Sequence, residues 1–265
     1  MNNQDDEDVT EMFGSMFDDD IALDVVESSY GDVKVKVKCA DLYYGKTVKF
    51  MPLTVWPACN SFLMILIPAL WTSQENFFPQ NSQKDLIKYI DQIERLSILE
   101  LGAGTGKLSV VLSAYHKKMK YLDEKSEKMI QKLVTSDCRK ASLDLIRENI
   151  ELSRDKIDEA MIPEVVNILW QSSADLLDSS LGASFDLVLG TDVIFAKEAI
   201  GPLVFTVKHC LKQHGLCLLA NHIMRINNIE DVLFEECKAN GLKVEHAGYC
   251  DQECKIKLHK LTLAN

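Results

Sequence analysis

The stretch Ile98-Leu99-Glu100-Leu101-Gly102-Ala103-Gly104-Thr105-Gly106 decides how the rest of the chain is read. Leu96 to Leu101 is mostly aliphatic, as expected of a strand covered on both faces. Three glycines at alternate positions then let the backbone turn tightly and approach a ligand. From Lys107 to Tyr115, the apolar residues Leu108, Val111, Leu112 and Tyr115 recur at the spacing of one buried helix face. The unit is strand, glycine loop, helix, and the loop reads as a binding loop. The competing reading is a tight strand-to-helix turn and nothing more. A dinucleotide fingerprint, G-x-G-x-x-G, would need its third glycine at position 107, where Lys107 stands, so the match to NAD-type loops is imperfect.

Downstream, Lys132 to Ser136 reads as a second strand ending in Asp137, and Cys138 to Leu152 as a helix with Leu143, Ile146 and Ile150 on one face. A carboxylate at the carboxyl end of the strand beside the glycine loop can accept hydrogen bonds from both hydroxyls of a ribose. The other reading of Asp137 is the N-cap of the helix after it. Asp137 follows Gly106 by 31 positions, more than the roughly 20 usual in dinucleotide folds. The segment His116 to Gln131, rich in lysine and glutamate with little periodicity, reads as an exposed insertion that accounts for the surplus.

Further strands are expected at 165–170, 185–190, 215–220, 242–249 and 255–263, with helices at 198–212 and 228–240. The last strand alternates as an antiparallel strand does. Before the glycine loop, Gln83 to Glu94 reads as a helix and Thr72 to Asn81 as a polar loop. Val33-Lys34-Val35-Lys36-Val37-Lys38 alternates strictly, with valines on one face and lysines on the other. With a turn at Asp41 to Gly45 and a second strand at Thr47 to Leu53, it predicts an antiparallel hairpin ahead of the main sheet. Val55-Trp56-Pro57 opens an apolar helix, Pro57 suiting its first turn. The pattern is α/β: an open, doubly wound, mainly parallel seven-stranded sheet of Rossmann-like type with an N-terminal β-hairpin, binding its ligand at the carboxyl ends of the strands.

At 265 residues and 47 % hydrophobic, the chain has ample material for one large core. Its formal charge of −11 is local: residues 1–20 hold eight carboxylates and no Lys or Arg, leaving −3 for the rest. Residues 1–20 are expected to be a disordered acidic tail, with Met12, Phe13, Met16 and Phe17 as a candidate partner-binding peptide, and 21–265 the single folded domain. No broad basic surface is available for nucleic acid. The longest apolar run, Phe62 to Trp71, is about half of what a bilayer requires and contains Pro68. No secretory signal opens the chain, and eight scattered cysteines suit reduced thiols, so a cytoplasmic protein, in the cytosol or also the nucleus, is expected. His246, Cys250, Cys254 and His259 could in principle hold a metal, but the spacing is not that of a zinc finger and no metal is expected.

The G-x-G-x-G loop preceded by Glu100 resembles the first motif of the class I, seven-β-strand, S-adenosylmethionine-dependent methyltransferases. Asp186-Leu187-Val188-Leu189-Gly190-Thr191-Asp192-Val193-Ile194-Phe195 is the most specific segment. Together with Val55-Trp56-Pro57, Thr135-Ser136-Asp137 and Leu169-Trp170, it resembles the methyltransferase-like protein-lysine methyltransferases, over about residues 33–264 and with motifs in the family's order. The resemblance implies that Trp56, Glu100, Gly102, Gly104, Gly106, Asp137, Trp170 and Thr191 bind S-adenosylmethionine. It further implies that Asp192 and Phe195 form a D-x-x-Y/F element beside the target lysine. Here the aromatic is Phe195 rather than the more usual tyrosine, and the helix after Asp137 carries Asn149 but Ser153 where a second asparagine is frequent.

The implied activity is methyl transfer from S-adenosylmethionine to a lysine of a protein substrate, by a monomer that binds neither nucleic acid nor membrane. The alternatives are a methyltransferase acting on a small molecule or another residue, an NAD-type oxidoreductase of the same fold, and a catalytically silent binding module. Asp192 would orient the amine, or else cap the turn that follows it. Phe195 would wall the lysine stem.

Overall fold

The computed structural model describes residues 22–41, 51–71, 89, 92–93, 95–122, 129–251, 253 and 255–264. The acidic tail and most of the segments read as the loop at 72–81 and the helix at 83–94 lie outside them.

The chain opens with strands β1 (Asp24–Tyr30) and β2 (Val33–Cys39), followed by helix α1 (Pro57–Trp71). The glycine unit is β3 (Arg95–Leu101) and α2 (Lys107–Leu122). Next come β4 (Met129–Asp137), α3 (Lys140–Leu152), β5 (Glu164–Asn167), β6 (Phe185–Thr191) and α4 (Lys197–Cys210). The chain closes with β7 (Leu211–His222), the short α5 (Ile223–Ile226), α6 (Glu230–Ala239), β8 (Leu242–Asp251) and β9 (Ile256–Leu263). Seven strands form one sheet in the order β5-β4-β3-β6-β7-β9-β8. The first five are mutually parallel, and β9 pairs antiparallel with both β7 and β8. This is the doubly wound sheet expected from the alternation of strands and helices.

Both faces of the sheet are covered, which explains the uninterrupted aliphatic runs. Leu96, Ile98, Leu187 and Leu189 pack on one side with α1, α2 and the hairpin. Leu99, Leu101, Phe185 and Val188 pack on the other with α4 and α6.

Two expectations are corrected. The hairpin partner of β2 is β1, upstream, rather than Thr47 to Leu53; Met51–Leu53 is a turn of 3-10 helix, and 42–50 lie outside the described residues. The turn is Gly31-Asp32, with Gly31 at φ +60°, where a glycine is at ease. β1 lacks alternation because, apart from the buried Tyr30 at its end, it supplies pairing rather than core: Val25 and Val26 are 53 % and 46 % exposed. The second correction concerns His116 to Gln131. α2 continues to Leu122 and β4 begins at Met129, so most of this segment belongs to regular elements, 123–128 lying outside the described residues. Its lysines reach sideways: Lys117 Nζ donates to the carbonyls of Asp155 and Ile157, at 2.8 and 3.1 Å, and Lys120 pairs with Asp158 at 3.0 Å. A helix held this way needs no strong apolar period beyond the buried Tyr115 and His116.

The hairpin is fixed to α3 by side chains. Asn149 accepts from Lys38 N at 2.6 Å and donates to Lys38 O at 3.0 Å. One turn later Ser153 accepts from Lys36 N at 3.1 Å and donates to Lys36 O at 2.9 Å. The free edge of β2 is thereby satisfied without another strand.

Candidate active site

The sequence order of strands reverses between β3 and β6, which lie side by side with Leu101 opposite Gly190. Such a switch point opens a crevice at the carboxyl ends of the strands. The glycine loop and Thr191-Asp192 both emerge there.

Gly102 and Gly104 hold φ of +62° and +56°. A Cβ at Gly102 would come within 2.9 Å of Val193 Cγ1 and 3.2 Å of Trp170 Cζ2, and one at Gly104 within 2.6 Å of the Pro52 carbonyl oxygen. Neither position accepts a side chain in this backbone. Gly106 abuts Ile146 of α3 and serves the packing of α2 on α3. The loop is tied down from below: Ala103 N donates to Ser136 O at 2.8 Å, Ser136 Oγ to Glu100 O at 2.8 Å, and Asn149 Nδ2 to Thr105 O at 2.9 Å.

Two carboxylates flank the loop, with different duties. Glu100 Oε2 accepts from Ser109 Oγ at 2.5 Å, Ser109 N at 3.2 Å and Thr135 Oγ1 at 3.2 Å. It is buried beneath the loop, and burial pushes its pKa up to about 7 against the opposing pull of those donors. Asp137 Oδ2 accepts from Gly104 N at 3.0 Å, and Oδ1 from Arg139 N, ahead of α3, at 3.0 Å. Asp137 thus pins the loop and the turn ahead of α3; it is not the helix N-cap, a position held by Arg139 without a side-chain cap bond. Each oxygen retains a lone pair for a ribose hydroxyl. Burial raises its pKa, the hydrogen bonds working against that shift.

Trp170, just past β5, lies beside Gly102 and tilts against Phe195, ring centroids 6.5 Å apart. Phe195 is half exposed. Thr191 ends β6, partly buried. Asp192 follows in the left-handed region, φ +55°, and is buried. Its Oδ1 accepts from His222 N at 2.9 Å and lies 4.0 Å from Arg225 Nε, while Oδ2 is buried with no hydrogen-bond partner. Burial raises its pKa; the His222 N–H, the Arg225 guanidinium and, more weakly, the Ala58 N–H at the start of α1 oppose the shift. Arg225 in turn sits over the Trp56 ring, 3.8 Å from its centroid.

Of the residues expected from sequence, Gly102 lies against Trp170, which tilts against Phe195, while Asp192 and Trp56 are linked through a residue between them, Arg225. Sequence reading missed Arg225, and also Asn221, whose Oδ1 accepts from Ile194 N at 3.0 Å and fixes the turn after Asp192. The one available signal was position: Asn221 is the penultimate residue of β7, the strand next to β6, where ligand-side residues collect. His246 and His259 have ring centroids 6.1 Å apart, but His259 Nε2 is engaged by Glu230 Oε1 at 2.6 Å. The Cys250 side chain and Cys254 lie outside the described residues, among which no cluster of three or more metal-ligating side chains occurs.

Residues 51–240 match the family model described as lysine methyltransferase. The chain belongs to that family. S-adenosylmethionine is accordingly its cofactor, and the crevice fits such a group: Asp137, with one N–H on each carboxylate oxygen, offers further acceptors for a ribose at the end of β4. The protein is similar to mouse (Mus musculus) protein N-lysine methyltransferase METTL21A, 27 % identical over 134 residues, covering 50 % of this chain and 52 % of that protein. The chain thus spans about half the length of this curated relative. Among solved structures it is similar to an S-adenosylmethionine-dependent methyltransferase from Clostridium acetobutylicum ATCC 824, with TM-score 0.48, 11 % identity and coverage of 69 % of this chain and 91 % of that one. It is also similar to ribosomal protein L11 methylase from Lactobacillus delbrueckii subsp. bulgaricus, with TM-score 0.42, 15 % identity and coverage of 68 % and 77 %.

Proposed function

We propose that this lysine methyltransferase family member transfers methyl groups to a lysine side chain of a protein substrate, with Asp192 and Phe195 on the acceptor side. The observation that carries the reading is Asp192 Oδ2, a buried carboxylate oxygen without a partner at the switch point of the sheet. A buried acceptor left unpaired is costly unless something that binds there completes it. An amine N–H is such a donor.

S-adenosylmethionine supplies a methyl group already activated by its sulfonium; the chain's residues have only to hold, orient and exclude water. Asp137, Trp170 and the backbone at Gly102 and Gly104 would hold the adenosine end. A free lysine, with a pKa near about 10.4, is almost wholly protonated at neutral pH, and attack requires the neutral amine. A desolvated position close to a guanidinium and a sulfonium disfavours the ammonium. Arg225, beside Asp192, also offsets the carboxylate charge that would otherwise hold the amine protonated. Phe195 would then flank the lysine stem.

A second reading has its own observation: the Oδ1 contact with His222 N makes Asp192 a brace between β6 and β7. The discriminating experiment maps the methyl acceptor with labelled S-adenosylmethionine and fractionated lysate, then compares Asp192→Ala and Asp192→Asn on it. We further propose that the protein works in the cytosol or nucleus, supported by the free state of six described cysteines, and without entering a membrane, supported by the lack among the described residues of any helix long and apolar enough to cross one.

A further inference from the structure

Lys107 is the first residue of α2, directly after the glycine loop, and only 4 % exposed. Its ammonium donates to Ser28 Oγ of β1 and Asn60 Oδ1 of α1, both at 2.7 Å, and lies 5.7 Å from the centroid of the Tyr30 ring. These partners are all neutral, and no carboxylate among the described residues pairs with it. Buried ammonium groups are ordinarily matched by a counter-ion, because two neutral acceptors do not replace the lost hydration. A third N–H remains to be used.

The ammonium borders a cavity of about 300 Å³ between the hairpin and the start of α1, lined also by Asn60, Ser28, Val55, Cys39 and Asp24. Val55 belongs to the segment that links Pro52, whose carbonyl lies against Gly104, to Trp56. Lys107 itself directly follows Gly106, so the cavity it lines starts where the glycine loop ends. The cavity is not simply cationic. Asp24 and Asp41, which also lines the cavity, would repel a phosphate but suit the ammonium of a zwitterion whose carboxylate meets Lys107.

We propose that Lys107 receives the carboxylate of the amino-acid end of S-adenosylmethionine. The inference rests on S-adenosylmethionine being the cofactor and adds the residue that recognises its only anionic group. A carboxylate here would give the buried ammonium its missing counter-ion and a charge-assisted hydrogen bond.

Calorimetry on the full chain tests this with two ligands that share the adenosine thioether: S-adenosylhomocysteine and 5′-methylthioadenosine, which lacks the amino-acid end. Lys107→Met is expected to weaken S-adenosylhomocysteine by about 10- to 100-fold, the range of a hydrogen bond to a charged group, and to leave methylthioadenosine within about twofold. Unchanged S-adenosylhomocysteine affinity, or an equal loss for both ligands, would overturn the proposal. Should the variant not fold, the unmodified protein decides the matter with decarboxylated S-adenosylmethionine, expected to bind about 10- to 100-fold more weakly than S-adenosylmethionine. Equal affinity would overturn the assignment. Failure of the unmodified protein to bind any of the sulfur ligands would reject the cofactor itself, an outcome distinct from intact binding in Lys107→Met.

Discussion

Asp192 sits at φ +55°, a conformation that an aspartate tolerates better than most residues but that still carries strain. Asparagine tolerates it equally and can keep the acceptor for His222 N, but it offers the approaching amine a neutral amide. Asp192→Asn is therefore expected to keep the melting temperature within about 2 °C of the unmodified protein, roughly 0.5 to 1 kcal/mol for a domain of this size. Methyl transfer should fall by a factor on the order of 100, the scale of losing an oriented charge-assisted contact in a dry site. Full activity on the mapped acceptor would leave Asp192 as a brace only. Asp137 divides its oxygens between the loop and the start of α3. Asp137→Ala should cost S-adenosylhomocysteine about 1.5 to 3 kcal/mol of affinity by calorimetry, as a charged acceptor is lost. A lower melting temperature with unchanged affinity would assign the residue to holding the loop and the turn before α3 alone.

Among the elements, the hairpin has the least apparent claim to stability, since it is outside the main sheet and is bound by polar groups along β2. Asn149 serves it twice and the glycine loop once, through Thr105 O, whereas Ser153 serves only Lys36. Removing Asn149 strands buried backbone groups on both elements. Asn149→Ala is expected to lower stability by about 2 to 3 kcal/mol and to weaken S-adenosylhomocysteine, because the loop loses a tether. Ser153→Ala should cost about 1 kcal/mol and leave the cofactor affinity alone. Thermal unfolding and calorimetry on the two variants check this, and an equal effect on affinity would break the proposed link between hairpin and loop. The hairpin also marks where sequence reading stops. Alternation in β2 was legible because one face meets the core; in β1 only Tyr30 at its end is buried in the core, and Val25 and Val26 are exposed, which leaves no such mark. The same holds at the site. Gly102, Asp137 and Asp192 were legible because strand ends locate them, but Arg225 meets Trp56 across 169 positions and Lys107 meets Asn60 across 47, contacts that no local period encodes.

At the scale of the whole molecule, the two sheet faces and the loop converge on the end of β3, where Glu100 is enclosed with its donors. Global stability thereby depends on pH through Glu100, alongside other buried groups such as Asp137 and Asp192. Burial is the largest influence on Glu100 and lifts its pKa from 4.5 in a free glutamate to about 7. The folded state therefore holds a proton that the unfolded chain releases between these values. The stabilisation is complete below the unfolded pKa and is lost as pH rises through the folded one, a swing on the order of 3 kcal/mol from this residue. Glutamine keeps an oxygen for Ser109 N and Thr135 Oγ1 and cannot ionise. Glu100→Gln is expected to be less stable than the unmodified protein at pH 5, where the carboxyl is protonated and fully bonded. It should overtake or match it by pH 8, where the unmodified protein must keep a buried charge. Urea unfolding of both proteins at several pH values gives the difference directly. A difference that stays constant from pH 5 to 8 would show that Glu100 is already ionised throughout, held so by Ser109 and Thr135 despite its burial.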